Sequence, residues 1–164
     1  MQPLTLHEAK ERDIPVITEL AHVIWQQHYP DIISQEQIDY MLMMMYSAES
    51  LKEQMQQKLH RFFLIHLGDD CIGFMSLHEV DQHEWFLNKF YIKREKSAKG
   101  IGSEALQQII QKLGAKKMRL TVNRQNFKSI NFYFKNGFVI ERVADFDIGN
   151  GYVMNDFVML WTAV

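Results

Sequence analysis

Apolar residues recur along this chain with two different periods, and the points where the period changes mark its elements. Leu4 and Leu6 alternate with Thr5 and His7, which predicts a first strand over Leu4 to Ala9. Ile14, Ile17, Ala21, Ile24 and Trp25 then fall at helical spacing, with Asp13 as the expected N-cap and Pro30 as the stop. Ser34 with Gln37 reads as a capping box for a second helix through Tyr46. Ser47 opens an amphipathic third helix carrying Leu51, Met55 and Leu59. From Arg61 the period shortens. Phe62 to Leu67 and Cys71 to Leu77 are two apolar runs around the turn Gly68-Asp69-Asp70, a hairpin signature, and Trp85 to Ile92 is a further strand. Ile101, Ala105, Ile109 and Leu113 define a helical face ended by Gly114. Met118 to Val122 reads as a strand, Asn126 to Asn136 as a helix ended by Gly137, and Phe138 to Val143 and Val153 to Trp161 as two last strands. The order is β-α-α-α-β-β-β-α-β-α-β-β, a mixed α/β fold with about seven strands.

Composition narrows the class. At 164 residues, 47% of them hydrophobic and 23% charged, the chain has the profile of one globular domain spanning 1–164. Its net charge of -2 argues against a general nucleic-acid binder. The single cysteine, Cys71, excludes an internal disulfide and reads as core packing. The N-terminus lacks a basic segment followed by a long apolar one, and no run approaches the roughly 20 apolar residues of a membrane helix. The expectation is a soluble cytoplasmic protein with no membrane and no nucleic-acid partner.

The most informative segment runs from Tyr91 to Ser103, Tyr-Ile-Lys-Arg-Glu-Lys-Ser-Ala-Lys-Gly-Ile-Gly-Ser. A strand passes into a basic loop and the loop directly into a helix. Gly100 and Gly102 let backbone approach a ligand closely, and the first amides of the helix lack partners within it, so the helix start is an anion site. Lys93, Arg94, Lys96 and Lys99 face only Glu95 in opposition. Gly100-x-Gly102-x-x-Ala105 matches the letters of a dinucleotide fingerprint, but there the first glycine follows its strand almost directly and an acid ends the next strand. Here a long loop intervenes and the next strand ends in Val122-Asn123. No Gly-Lys-Ser/Thr follows the glycines, which excludes a Walker loop. A loop that merely turns the chain would leave the lysines and the helix start without a purpose.

Ser97-Ala98-Lys99-Gly100-Ile101-Gly102 resembles the coenzyme A pyrophosphate cradle of the GNAT (Gcn5-related) N-acetyltransferase family, Gln/Arg-x-x-Gly-x-Gly/Ala. Ser97 departs from the family's Gln or Arg, which removes one side-chain donor and leaves the neighbouring lysines to compensate. Downstream, Asn126-Phe-Lys-Ser129-Ile130-Asn-Phe132-Tyr133-Phe134-Lys-Asn-Gly137-Phe138 resembles the family's Asn-x-x-Ala/Ser-x-x-Phe/Leu-Tyr-x-x-x-Gly-Phe at the usual distance. Two ordered matches are far more specific than either alone. The resemblance covers the element order of the whole chain and is strongest from Trp85 to Phe138. It implies a mixed sheet splayed between its fourth and fifth strands, acetyl-CoA as co-substrate without a metal, and transfer of acetyl to an amine.

Carried onto this sequence, the resemblance gives Lys96, Ser97, Ala98, Lys99, Gly100, Ile101, Gly102 and Ser103 the phosphates. It gives the backbone of Phe90, Tyr91 and Ile92 the thioester and pantetheine, with Asn126 and Ser129 beside that arm. Tyr133, two helical turns after Asn126, matches the tyrosine that protonates the departing thiolate, with Ile130 and Phe134 expected in the core. The base is not readable. Glu84, His78 and Glu79 stand near strand ends, Asn88 occupies a mid-strand position where relatives carry an acid, and a water chain serves equally.

Trp25, His28 and Tyr29 end the first helix, and aromatics with methionines crowd the second up to Tyr46. His28 reads as a cation at a helix C-terminus. Trp25, Tyr29, Tyr46 and Asn88 are the expected acceptor residues, with Asp31, Glu36, Asp39 and Glu49 available to a cationic amine. This texture resembles the polyamine-acetyltransferase branch. A small-molecule amine acceptor is therefore expected, with two alternatives left open: a non-catalytic acyl-CoA-binding sensor or structural module, and a protein or peptide N-acetyltransferase. The apolar last strand allows a homodimer.

Overall fold

The computed structural model describes residues 2–97 and 100–164. Its elements follow the order β1 (Leu4–Glu8), α1 (Ile14–His28), α2 (Gln35–Tyr46), α3 (Ala48–Gln56), β2 (Arg61–Leu67), β3 (Asp70–Asp81), β4 (Glu84–Ile92), α4 (Ile101–Leu113), β5 (Lys117–Asn123), α5 (Phe127–Lys135), β6 (Val139–Gly149) and β7 (Tyr152–Thr162). Short 3-10 turns cover Glu11–Asp13 and Arg94–Lys96. Among the described residues no helix is long and apolar enough to cross a membrane.

The seven strands form one sheet in the order β1-β2-β3-β4-β5-β7-β6. Every neighbouring pair is antiparallel except β4 with β5. Hairpins join β2 to β3, β3 to β4 and β6 to β7, whereas α4 returns the chain to the same end between β4 and β5 and makes that pair parallel. Successive side chains of a strand point to opposite faces, so a strand covered on both faces must be apolar throughout. Phe62 to Ile65 obeys this: Phe63 and Ile65 pack toward α4 and α5, while Phe62 and Leu64 pack toward α1, α2 and α3. Two cores result, one on each face.

Ser34 and Ser47 cap their helices as expected, accepting from the amides of Gln37 and Ser50. Other local expectations need correction. Asp13 makes no cap bond to α1. Its carboxylate accepts from the Lys10 amide at 2.8 Å and holds the preceding 3-10 turn. Leu59 lies beyond α3, exposed, with φ of 55°, because α3 already ends at Gln56. Cys71 is half-buried rather than in the core. Phe134 is exposed, and Ile130 and Tyr133 are the residues that α5 buries.

One irregularity shapes the centre of the sheet. Ser76 pairs with Lys89 and Leu77 with Leu87, so Asn88 is an extra residue on β4. A bulge of this kind bends its strand and exchanges the faces. Trp85 and Leu87 lie on the α4–α5 side before it, and Phe90 and Ile92 lie there after it. The parallel pairing of β4 with β5 also stops at this point, at Leu87 with Leu120, while β5 stays paired to β7 as far as Asn123 with Asp156. Beyond the bulge β4 and β5 are apart, and the site lies in that opening.

Candidate active site

Two cavities meet where β4 and β5 part. The outer one, about 310 Å³, lies at the start of α4 and is lined by Ser97, Gly100, Gly102, Ser103, Lys128, Phe132 and Lys135, among others. Gly100 takes the left-handed φ of 85° as it enters the helix, a conformation that strains other residues. The first intrahelical bond runs from the Glu104 amide to the Gly100 carbonyl at 2.9 Å, so the amides of Ile101, Gly102 and Ser103 have no acceptor within the helix. A Cβ on Gly102 would stand 2.9 Å from the Phe132 ring. The helix therefore starts with amides that have no acceptor within it, a glycine packed close against Phe132, and the positive end of its dipole.

The basic loop contributes less than its composition promised. Lys96 pairs with Asp70 at 3.5 Å, and Arg94 bonds the backbone carbonyl of Gln27. Ser97 Oγ donates to the Arg94 carbonyl, while the residue itself lines the groove. Ile101 packs against the α4–α5 core. Ala98 and Lys99, both expected at the phosphates, lie outside the described residues. Among the described residues the cations along this groove are Lys128 and Lys135 of α5.

The inner cavity, about 300 Å³, is bounded by Trp25, His28 and Tyr29 from α1, by Met41 and Met45 from α2, and by β4 from Leu87 to Ile92. Leu120 to Asn123, Asn126, Ser129, Tyr133, Phe146, Ile148, Met154 and Asp156 complete it. The α2 helix is tied over this cavity by the Tyr40 hydroxyl, which donates to the Ile148 carbonyl at 2.9 Å. Trp25 and Tyr29 stand 4.3 Å apart, and the Tyr29 and Tyr91 hydroxyls are 3.0 Å apart. Burial pushes the Tyr29 hydroxyl up to about 12.

Phe90, Ile92, His28, Ser129 and Tyr133 line both cavities. Tyr133 is 9% exposed, edge-on to Phe132 and to Phe138. Burial raises its pKa well above the ordinary tyrosine value and no hydrogen bond offsets the shift, so it keeps its proton. Asn126 caps α5, accepting from the Ser129 amide at 3.3 Å, and lines the inner cavity as well. His28 is not the helix-end cation that its position suggested. Burial lowers its pKa, and its Nε2 stands 3.3 Å from the Ile92 carbonyl.

The expected acceptor residues divide. Trp25, Tyr29 and Asn88 line the inner cavity, whereas Tyr46 is fully buried against Trp25 and Phe74, outside the lining. Asn88 accepts at Oδ1 from the direction of His78 Nδ1, 2.9 Å away. The strand-end acids are elsewhere: Glu84 pairs with Lys117 and Arg119 at the far end of β4, and neither His78 nor Glu79 reaches the cavity lining. Asp31 in the α1–α2 turn, Glu36 and Asp39 of α2 and Glu49 of α3 are exposed and do not line it either.

The acid that does line it is Asp156 of β7, 5% exposed, with Oδ1 unpartnered. Burial raises it from the usual carboxylate range to about 6. Lys89 is a second buried charge, 6% exposed. Its Nζ donates to Gln54 Oε1 at 2.8 Å and faces the rings of Tyr46 and Phe62, and burial lowers it to about 8. The sequence reading passed over both, yet each carried one signal. Asp156 is the one acid within Val153 to Trp161, and Lys89 is the one cation within Trp85 to Ile92.

The model of the acetyltransferase (GNAT) family matches residues 17–138. A spermidine N(1)-acetyltransferase of Thermoplasma acidophilum is 32% identical over 136 residues, which cover 79% of this chain and 84% of that protein. The crystal structure of PaiA N-acetyltransferase from Thermoplasma acidophilum, in complex with coenzyme A, superposes with a TM-score of 0.77 at 28% identity over 98% of this chain and 99% of that one. A GCN5-related N-acetyltransferase structure from Rhodopseudomonas palustris shares the fold, with a TM-score of 0.79 at 17% identity over 99% and 98% of the two chains.

Proposed function

The chain belongs to the acetyltransferase (GNAT) family, and from that premise we propose that it acetylates a small cationic amine of the polyamine class. It is an N-acetyltransferase with acetyl-CoA as its acetyl donor. The observation that carries the acceptor reading is the inner cavity. It joins the glycine groove at Tyr133, has aromatic walls from Trp25, Tyr29 and Tyr91, and contains a buried carboxylate at Asp156. An alkyl stem bearing separated ammonium groups suits such a site, because aromatic faces and a carboxylate both attract cations. The relative named as a spermidine acetyltransferase supports the same reading.

The described residues fit the coenzyme. Free amides at Ile101, Gly102 and Ser103, the hydroxyl-bearing Ser97, and Lys128 with Lys135 hold the pyrophosphate. Gly102 adds no side chain of its own there, and a Cβ at this position would press on the Phe132 ring of the groove wall. When bound, acetyl-CoA supplies a thioester carbonyl open to attack. The backbone of Phe90, Tyr91 and Ile92, released from β5 beyond the bulge, lines the passage with Asn126 and Ser129 and orients that carbonyl. Trp25 and Tyr29 exclude water and hold the amine. Tyr133, protonated and buried between the two cavities, delivers its proton to the departing sulfur.

The test compares kcat/KM for spermidine, a monoamine of similar length and a short peptide. Spermidine is expected to lead. A peptide preferred by tenfold, about 1.4 kcal/mol in transition-state binding, overturns the polyamine reading and leaves the acetyltransferase intact.

A further inference from the structure

The lining of the inner cavity includes one buried carboxylate, Asp156. Asp156 stands on β7 between Asn123 of β5 and Ala144 of β6. A structural carboxylate would have both oxygens partnered, and here Oδ1 is not. Arg124 is nearby, but its guanidinium is engaged by Asp145 at 2.9 Å and by the carbonyls of Ala144 and Asp156 itself. The Asp156 side chain keeps Oδ1 unpartnered at 5% exposure. An ionisable group buried without a partner in a cleft is a mark of function rather than of packing.

Its place in the fold is informative. Asp156 and its cross-strand partner Asn123 line the same cavity as Phe90 and Tyr133. Phe90 and Tyr133 are also where the two cavities join. The carboxylate therefore shares the cavity that opens onto the glycine groove, whereas the exposed acids of the helical segment do not.

We propose that Asp156 is the base that takes the proton of the acceptor ammonium, which makes it a catalytic residue. This rests on the amine-acetyltransferase reading. The ammonium gives one proton to the carboxylate, which later returns it to solvent. The neutral nitrogen attacks the carbonyl carbon, a C–N bond forms, and the C–S bond breaks with its electron pair going to sulfur. Tyr133 protonates that sulfur and is reprotonated from the second proton that the nitrogen sheds. The products are the amide, the free thiol and one proton.

The groups facing Asp156 are Thr121 and Asn123 of β5, Arg124, Asp145 of β6 and Tyr29 of α1. Thr121 and Arg124 favour the charged form, and burial and Asp145 oppose it more strongly. With a pKa of about 6 the residue is ready to accept a proton above that pH and blocked below it. The acid limb of kcat/KM, which reports the free enzyme, is therefore expected near pH 6.

The experiment uses the best amine from the acceptor panel, so the identity of the acceptor and the role of Asp156 fail separately. Asp156→Asn is expected to lower kcat at least tenfold, to erase the limb near pH 6, and to leave acetyl-CoA affinity by calorimetry within about twofold of wild type. An acceptor that is largely unprotonated at neutral pH should suffer a much smaller loss in the same variant. Retention of kcat within about threefold, or of the limb, overturns the proposal. In the wild-type protein, carboxyl NMR should show Asp156 titrating with the kinetic limb, and a mismatch between the two overturns it independently of any variant.

Discussion

Tyr133 shows how far a single side chain can be read before and after folding is known. Its place in the second motif was legible in the sequence, because Asn126 and Gly137 bracket one short helix around it. Its surroundings were legible only in part, since Ile130 packs in the core as expected and Phe134 is exposed. Burial keeps the hydroxyl protonated, and no hydrogen bond occupies it, so removing the oxygen disturbs little else. Tyr133→Phe is therefore expected to lower kcat at least tenfold while leaving acetyl-CoA affinity nearly unchanged, the pattern of an interaction made only in the transition state. Parallel kinetics and calorimetry check it, and an unchanged kcat makes Tyr133 a packing residue. Asp156 and Lys89 were illegible for a different reason. A charge inside an apolar strand is visible in sequence, but the cavity that gives it meaning is assembled from α1, α2, β4, β5, α5, β6 and β7 together.

At the scale of elements, the ends set by local punctuation were readable, whereas β3 and β6 run on to Asp81 and Gly149, past the expected Leu77 and Val143. The α4 helix spans Ile101–Leu113, the range expected from its apolar face, and Gly114 ends it in the left-handed conformation. The bulge at Asn88 was not readable, since nothing in Leu87-Asn88-Lys89 requires an extra residue. It is fixed by the register that β3 imposes on one side and by the departure of β5 on the other. Lys96 shows the same limit: its charge was plain in sequence, its pairing with Asp70 was not. The start of α4 then carries its own prediction. A side chain at Gly102 meets both the incoming phosphate and the Phe132 ring, whose atoms would lie 2.9 Å and 3.2 Å from the new Cβ. Gly102→Val is expected to weaken acetyl-CoA binding at least tenfold on a folded protein, measured by calorimetry. Gly100→Ala faces no neighbour within 4 Å and is expected to cost about 1–2 kcal/mol of stability through its φ of 85° alone.

Over the whole molecule, buried titratable groups make stability depend on pH in two opposing ways. His60 is half-buried with Nδ1 unpartnered, stacked 4.7 Å from His78, and burial lowers it to about 4. The unfolded chain therefore binds a proton at this site near pH 6.5 and the folded chain only near 4, so stability is present above 6.5 and is lost as the pH falls through that window. His28, His66 and His78 are also lowered by burial and act in the same direction. Asp156 acts the other way. It is raised from 3.8 to about 6, so its folded state binds the extra proton, and the stability it contributes is complete below 3.8 and lost as the pH rises through about 6. At neutral pH the ionised carboxylate is thus a standing cost on the order of 1–3 kcal/mol, since each pKa unit is about 1.4 kcal/mol. Asp156→Asn should then melt higher than wild type at pH 7.5 by several degrees, at roughly 2–4 °C per kcal/mol for a chain of this size. Most of the gain should be gone by pH 4, where the folded carboxyl is protonated and the unfolded one is close to its own midpoint of 3.8. Without the opposing carboxylate, the same variant should also lose stability more steeply than wild type between pH 6 and 4. His60→Gln should lose it less steeply than wild type. Melting curves of the three proteins from pH 4 to 7.5 decide this, and an Asp156→Asn variant no more stable than wild type at neutral pH would show that the carboxylate is not buried at a cost.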